Sequence, residues 1–287
     1  MGLSESAARS GVRAVVNYVR NPPPEGAEPL TFVTEAEERS TMETLPGRQM
    51  WIHDLRGEDT SLDREGFVLV EHVSAVADFE LIEEDPEVDQ LYIDEMSDLL
   101  ADVAGADRVL MLGGGKKRYG ESVTDKLAAL KNAKPARYPH GDVTDVSGPE
   151  QAGGLVGLVP GLKLEAFGRW ALYNMWRSIT PPPQDYPLAV CDDRTIGSDD
   201  GVPVIAITEI RGIGDFEFET TGYLYNPKHR WCYFRDMTPD EVLVFKTHDS
   251  DPALAHRVAH TAFTDPTCPP GTPTRASVEM RALALFR

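Results

Sequence analysis

The sequence is poor in cysteine, lacks a long apolar run and has too few basic side chains to balance its acidic ones. Its three cysteines are odd in number and unevenly spaced, so they suit neither a disulfide framework nor a paired-cysteine metal clip. No stretch reaches the roughly 18 consecutive apolar residues of a membrane-spanning helix, and the first residues do not resemble a secretion signal. We therefore expect a soluble, cytoplasmic chain.

The net charge of -19 lies almost wholly in the N-terminal part of the chain. Residues 1–108 contain 25 acidic and 8 basic side chains, whereas the remainder is close to neutral. Such an acidic field repels the phosphates of nucleic acids and anionic lipids. These partners are thereby disfavoured, and a small-molecule partner is expected. A homodimer remains open.

Turn signals at short intervals predict a mainly β fold with flanking helices. Apolar stretches bounded by Pro, Gly and Asn/Asp clusters predict N-terminal strands at 13–19, 50–56 and 67–70. From about residue 135 the pattern becomes denser, which indicates a closed or nearly closed antiparallel barrel or jelly roll. The further predicted strands are 167–177, 188–191, 202–209, 216–224, 230–234, 241–245, 260–263 and 277–286.

Before residue 135 the sequence predicts one helix and one loop. Asp85 is a suitable N-cap, Pro86 suits the first helical position, and an apolar stripe follows until Gly105. The segment 113–118 is rich in glycine and basic residues but lacks the ending of a phosphate-binding loop. We predict a loop there, leading into a helix at 121–132.

Two histidines and one aspartate are the candidate metal ligands. His140 and Asp142 are two residues apart, so on a strand both side chains point to the same face. His260 is followed after fifteen residues by Arg275, whereas His256 has Gly271 at that distance. Two imidazoles and one carboxylate can hold Fe(II) and leave positions open for a cosubstrate and O2.

The last predicted strand has one polar face. Arg275 and Ser277 are on that face, and apolar residues alternate with them. A guanidinium is a suitable bidentate partner for the distal carboxylate of 2-oxoglutarate, and a serine hydroxyl can add a hydrogen bond. The alternative interpretation is an edge strand with a solvated polar face.

Nine stretches spread along the chain match one known enzyme group. They are Asp54–Gly57, Gly66–Val70, Asn174–Arg177, Pro187–Asp192, His229–Phe234, Met237–Phe245, Asp249–Ser250, His260–Phe263 and Arg275–Arg281. In these stretches the chain resembles the Fe(II)/2-oxoglutarate oxygenases of the gibberellin-desaturase-like and cephamycin-hydroxylase-like type from secondary metabolism. The group usually has a valine or similar residue before the first histidine, whereas this chain has Tyr138 and Pro139. The 118-residue gap from Asp142 to His260 is also longer than in penicillin-type enzymes, which leaves His229 open as the third ligand.

The resemblance implies an enzyme on a double-stranded β-helix that hydroxylates or desaturates a small metabolite and releases succinate and CO2. We expect one domain over 1–287, with most of the β-helix in 135–287 and the elements of 1–134 packed against it. The implied cofactors are Fe(II), 2-oxoglutarate and O2. The implied iron ligands are His140, Asp142 and His260, and the implied 2-oxoglutarate ligands are Arg275 and Ser277.

Three further residues are weaker candidates. Asn174 is assigned to the other carboxylate of 2-oxoglutarate or to substrate, with a role in the sheet as the alternative. Asp192 and Arg194 are assigned to substrate, with a turn-stabilising ion pair as the alternative. Two other functions remain open, namely an iron enzyme of the cupin type that needs no 2-oxoglutarate and a non-catalytic barrel that binds a small ligand.

Overall fold

The computed structural model describes residues 10–20, 30–33, 39–120, 136–210 and 214–287. Within these ranges there are two α-helices, α1 (Pro86–Ala104) and α2 (Ser147–Gly157). Neither helix is both long and apolar enough to cross a membrane. The strands β1 to β15 are Gly11–Val16, Thr31–Val33, Arg48–Asp54, Phe67–Glu71, Arg108–Met111, Lys116–Tyr119, His140–Gly141, Arg169–Ser178, Leu188–Cys191, Gly201–Ile210, Gly214–Tyr223, Trp231–Tyr233, Glu241–Asp249, His260–Ala262 and Ala276–Phe286.

The described strands form two sheets between which the chain winds back and forth. The nine-stranded sheet has the order β1-β3-β12-β9-β14-β7-β11-β10-β2, and the other has the order β4-β13-β8-β15-β5, with β6 also paired to β15. The chain changes sheet between β8 and β9, and again at each step from β12 to β15. This winding confirms the predicted jelly-roll architecture of the double-stranded β-helix.

An apolar core fills the space between the sheets. Val190 of β9 and Cys232 of β12 belong to the same buried cluster as Phe67, Trp176 and Phe245 of the other sheet. All five side chains are almost fully buried. Burial of this apolar surface from both sheets holds the sheets together and removes water from the space around the site.

The last strand, β15, is an interior strand. It pairs with β8 along one side and with β5 and β6 along the other, so the edge-strand alternative is wrong. Met280 and Ala282 pack outward in one buried cluster with Tyr92 and Met96 of α1. The alternate residues of β15 therefore point into the space between the sheets.

The helix α1 follows its sequence signals. The Asp85 side chain accepts hydrogen bonds from two backbone N–H groups of the first turn, and Pro86 is the first helical residue. Gly105 ends the helix at φ 65°, a left-handed conformation in which glycine carries no steric penalty. This prediction is confirmed.

Other elements differ from the sequence expectation. Helix α2 was not predicted, because four of its eleven residues are glycine and a proline lies in its first turn. Its apolar side packs with Leu172 of β8 and Leu283 of β15 and closes one end of the space between the sheets. Strand β13 continues to Asp249, beyond its predicted end. The helix predicted at 121–132 lies outside the described residues.

Candidate metal centre

Two short strands bring the predicted histidines side by side. His140 of β7 and His260 of β14 are register partners in the nine-stranded sheet, and their ring centroids are 4.2 Å apart. Asp142 follows β7 directly. One candidate ligand atom from each of these three residues lies within 4.8 Å of the others, which is a spacing that a single metal ion can bridge.

The protein fixes the orientation of both imidazoles through the nitrogen that does not face the centre. His140 Nδ1 lies 3.0 Å from the Tyr138 carbonyl oxygen, and His260 Nδ1 lies 3.3 Å from that of Val258. A carbonyl only accepts, so each Nδ1 carries the proton and each Nε2 keeps a free lone pair. Burial lowers the pKa of His140 to about 3, so this ring is neutral as a metal ligand must be.

Asp142 is held from the opposite sheet. The side-chain amide of Asn174 donates to one carboxylate oxygen at 2.6 Å, and the Arg281 guanidinium donates to the other at 2.9 Å. Burial on its own raises the pKa of a carboxyl group, but the charge of Arg281 and these hydrogen bonds hold the pKa of Asp142 far below its usual range. Asp142 is therefore an ionised, oriented carboxylate.

Arg275 is a buried cation without a described counter-ion. The residue is 2% exposed, one Nη donates to Ser277 Oγ, and its Nε has no hydrogen-bond partner within the described ranges. Burial lowers the pKa of Arg275 to about 10, which still leaves it charged at neutral pH. No carboxylate among the described residues forms an ion pair with it, although an isolated buried charge is costly. The buried guanidinium of Arg275 is therefore suited to bind an anionic ligand.

Side chains of strand β8 contact both the Arg275 cation and one of the candidate metal ligands. The Arg275 guanidinium carbon lies 5.5 Å from the ring centroid of Trp176. Asn174, which binds Asp142, is two residues from Trp176 and points to the same face of the strand. The cation and the three candidate ligands consequently share one space between the sheets.

The other predicted site residues have different surroundings. Asn174 contacts Asp142 itself, whereas its predicted partner was cosubstrate or substrate. Arg194 pairs with both carboxylate oxygens of Asp192, at 2.9 and 2.7 Å, and Arg230 donates to the same carboxylate. This is the turn-stabilising ion pair named as the alternative. Arg281 was not assigned from the sequence, although it has the same parity as Arg275 on β15.

His229 is engaged through both ring nitrogens. Its Nδ1 lies 3.1 Å from the hydroxyl of Tyr18, and its Nε2 lies 3.0 Å from a carboxylate oxygen of Asp200. Among the described residues it belongs to neither group of side chains that could hold a metal ion. This geometry favours His260 over His229 as the third ligand.

Comparison with known proteins identifies a matching family model and similar curated proteins. The family model described as "Oxidoreductase/YMDC permease-like domain" matches residues 16–285. The "Hydroxylase/desaturase efuI" of Hormonema carpetanum is 29% identical, over 96% of this chain and 95% of that protein. The "Fe(II)/2-oxoglutarate-dependent dioxygenase nvfI" of Aspergillus novofumigatus is 30% identical, over 80% of this chain and 81% of that protein.

A solved structure is also similar along nearly the whole chain. It is described as "iron and alpha-ketoglutarate-dependent endoperoxidase NvfI with different conformation". The TM-score is 0.81 at 26% identity, and the match covers 97% of this chain and 99% of the other. The likeness therefore extends over both sheets and includes the space between them.

The two histidine alternatives predict different outcomes on substitution. We expect His260→Ala to weaken Fe(II) binding by at least about 100-fold, because a ligand is lost. We expect His229→Ala to leave Fe(II) affinity unchanged but to lower the free energy of unfolding by about 1–3 kcal/mol, because buried polar partners lose their hydrogen bonds. Anaerobic Fe(II) titration and urea denaturation measure the two effects, and the reverse pattern would assign the ligand to His229.

Proposed function

This chain belongs to the Fe(II)/2-oxoglutarate-dependent hydroxylase/desaturase family, and we propose on that basis that it oxidises a C–H bond of its substrate at an iron ion held by His140, Asp142 and His260. It is a dioxygenase that uses Fe(II) and 2-oxoglutarate in secondary-metabolite biosynthesis. The finer proposal is hydroxylation or desaturation of a small molecule. The observation that carries it is the three-residue donor set together with a buried arginine that forms no ion pair with the described residues.

The donor set suits Fe(II) because it supplies two neutral imidazoles and one carboxylate, which is the set typical of non-haem iron oxygenases. When bound, Fe(II) and 2-oxoglutarate supply an O2-dependent oxidation of the substrate, with release of succinate and CO2. His140 and His260 contribute Nε2, since their other ring nitrogens are tied to backbone carbonyls. Asp142 contributes carboxylate oxygen, and its negative charge offsets part of the charge of the ion.

Asn174 and Arg281 are positioning residues in this proposal. They donate to different oxygens of Asp142 and thereby restrict the rotation of its carboxylate. A charged donor also keeps this carboxylate ionised inside an apolar core. Second contacts of this kind orient metal ligands and commonly change metal affinity by about 10- to 100-fold.

Arg275 and Ser277 hold the distal carboxylate of 2-oxoglutarate in this proposal. The guanidinium has unused donors, and the Ser277 hydroxyl adjoins it on the same face of β15. A planar fork of donors matches a carboxylate better than a point charge does. An anion bound here would also neutralise a buried cation that forms no ion pair with the described residues.

Two aromatic side chains border the proposed centre. The Phe245 ring centroid lies 4.9 Å from that of His260, and Trp176 extends below Arg275. Both aromatic side chains belong to the core between the sheets. A dry site strengthens the electrostatic contacts of the carboxylates and protects a reactive centre from side reactions.

The proposed centre is tested by replacing its ligands one at a time. We expect wild-type protein with Fe(II) and 2-oxoglutarate, kept anaerobic, to show the weak visible charge-transfer band of the chelate. We expect His140→Ala and Asp142→Ala to lose this band and, in air, to lose release of succinate, because each removes one of three ligands. Circular dichroism checks that both variants fold. Unchanged succinate release from either folded variant would refute the centre.

Replacement of Arg275 tests the cosubstrate site separately. We expect Arg275→Met to weaken 2-oxoglutarate binding by about 10- to 100-fold, because charge-assisted hydrogen bonds are lost, and Arg275→Lys to restore only part of that loss. Titration of the chelate band with 2-oxoglutarate measures the affinity. Arg20→Met, which removes an exposed arginine from a surface ion pair, is the matched control. Equal affinities of Arg275→Met and the control would place the cosubstrate elsewhere.

The positioning role of Asn174 has its own signature. We expect Asn174→Ala to weaken Fe(II) binding by about 10- to 100-fold and to shift the chelate band, because the Asp142 carboxylate is less firmly oriented. A merely structural role would lower the free energy of unfolding without changing either property of the folded protein. Fe(II) titration, visible spectra and urea denaturation on the same samples separate the two roles.

A further inference from the structure

We propose that Asp145, His248 and His256 form a second metal site, which takes a divalent first-row transition ion such as Zn²⁺. One candidate ligand atom from each residue lies within 4.8 Å of the others. The site shares no residue with His140, Asp142 or His260, so the inference does not rest on the proposed function. The three residues come from different parts of the fold, namely the turn before α2, the end of β13 and the segment before β14.

Two buried ring nitrogens point to a missing ligand at this cluster. Nδ1 of His248 and Nδ1 of His256 are both buried, and neither has a hydrogen-bond partner among the described residues. His248 is only 5% exposed, so water does not readily replace a partner for its ring. Buried polar atoms are usually satisfied, and two such exceptions in one cluster require an explanation. A metal ion is a partner that accepts electron pairs from imidazole nitrogens.

The His248 ring is held in place from three sides. It stacks on the Trp170 ring at a centroid distance of 5.0 Å and an interplanar angle of 13°. The His256 ring meets it edge to face at 4.5 Å. On the third side is Gly148, where an added Cβ would lie 2.9 Å from His248 Nδ1. Glycine at this position therefore keeps a Cβ out of contact with this nitrogen, while the aromatic neighbours fix the ring.

The third candidate ligand, Asp145, is hydrogen-bonded to one of the two histidines. Its carboxylate accepts a hydrogen bond from His256 Nε2 at 2.8 Å. Such a carboxylate can bind the ion or orient the imidazole that binds it, as carboxylates do beside zinc-bound histidines. Asp193 accepts the backbone N–H groups of His256 and Arg257, at 3.1 and 3.0 Å, and so fixes the approach of this segment.

The chemistry of the donors selects the class of ion. Two imidazoles and a carboxylate suit Zn²⁺ and its first-row neighbours, whereas Mg²⁺ and Ca²⁺ prefer sites made of oxygen atoms. Burial lowers the pKa of His248 to about 4, so this ring is neutral at physiological pH. An Nη of Arg257 lies 3.4 Å from a carboxylate oxygen of Asp145, which is itself 68% exposed. Because solvent screens an exposed carboxylate, we expect weaker binding here than at the first centre, where Asp142 is buried.

An ion at this site would link chain segments that lead to the first centre. Asp145 follows Asp142 by three residues, and His256 precedes His260 by four. A bond from each to one ion would restrain both segments relative to β13, on which His248 lies. The expected consequence is a more rigid frame around the first centre, in addition to any contribution to folding stability.

Counting bound Zn²⁺ in four proteins tests the second site. We expect metal-free wild-type protein to bind two Zn²⁺ ions by equilibrium dialysis and elemental analysis, because Zn²⁺ also suits the first centre. His140→Ala and His256→Ala should each bind one, and the double variant should bind none. One ion in wild type with none in His140→Ala would overturn the second site and leave the first intact. Two ions in His256→Ala would also overturn it.

Asp145→Asn provides a variant with little risk to folding, because its side chain is 68% exposed. In the His140→Ala background we expect it to weaken Zn²⁺ binding at least tenfold and to change the visible spectrum of bound Co²⁺. Asp59→Asn, an exposed aspartate elsewhere, is the matched control and should alter neither. Equal affinities and spectra for Asp145→Asn and the control would indicate adventitious binding and refute the proposal. Circular dichroism confirms folding of each variant.

Discussion

The carboxylate of Asp142 joins the two sheets at the candidate metal centre. One oxygen accepts from Asn174 and the other from Arg281, and these donors are register partners on β8 and β15. An ionised carboxylate inside an apolar core is tolerated only when it is paired and hydrogen-bonded. The spacing of the sheets, the orientation of this carboxylate and the position of His140 two residues earlier are therefore coupled.

Arg275 presents the opposite situation, a buried charge that forms no ion pair with the described residues. Burial removes the hydration of this guanidinium, and the Ser277 hydroxyl, the Trp176 ring and the more distant charges of Asp185 and Glu279 offset only part of that cost. A bound anionic ligand that supplies the counter-charge would offset this cost. A ligand that binds only the folded protein also stabilises it, so occupancy by an anion would recover part of what the isolated cation loses.

The sequence was sufficient to predict those structural features that depend on residues close together in the chain. The caps of α1, the parity of His140 and Asp142, and the polar alternation in β15 each depend on residues close together in the chain. The partner of Asn174 could not be predicted, because it depends on how one sheet faces the other. Arg281 was missed for the same reason, although it has the parity of Arg275. Helix α2 is hidden by its glycines and is stabilised by tertiary packing.

Two groups of side chains with the same composition therefore occur close together along the chain but differ in their environment. In the first, Asp142 is buried, and two donors from the opposite sheet hold its carboxylate in one orientation. In the second, Asp145 is 68% exposed, and its contact with Arg257 is longer, at 3.4 Å, than the contact between Asp142 and Arg281. Solvent screens the attraction between a carboxylate and an ion, whereas burial and fixed donors strengthen it. We therefore expect the environment of the donors, rather than their identity, to make the first proposed site bind its ion more tightly than the second.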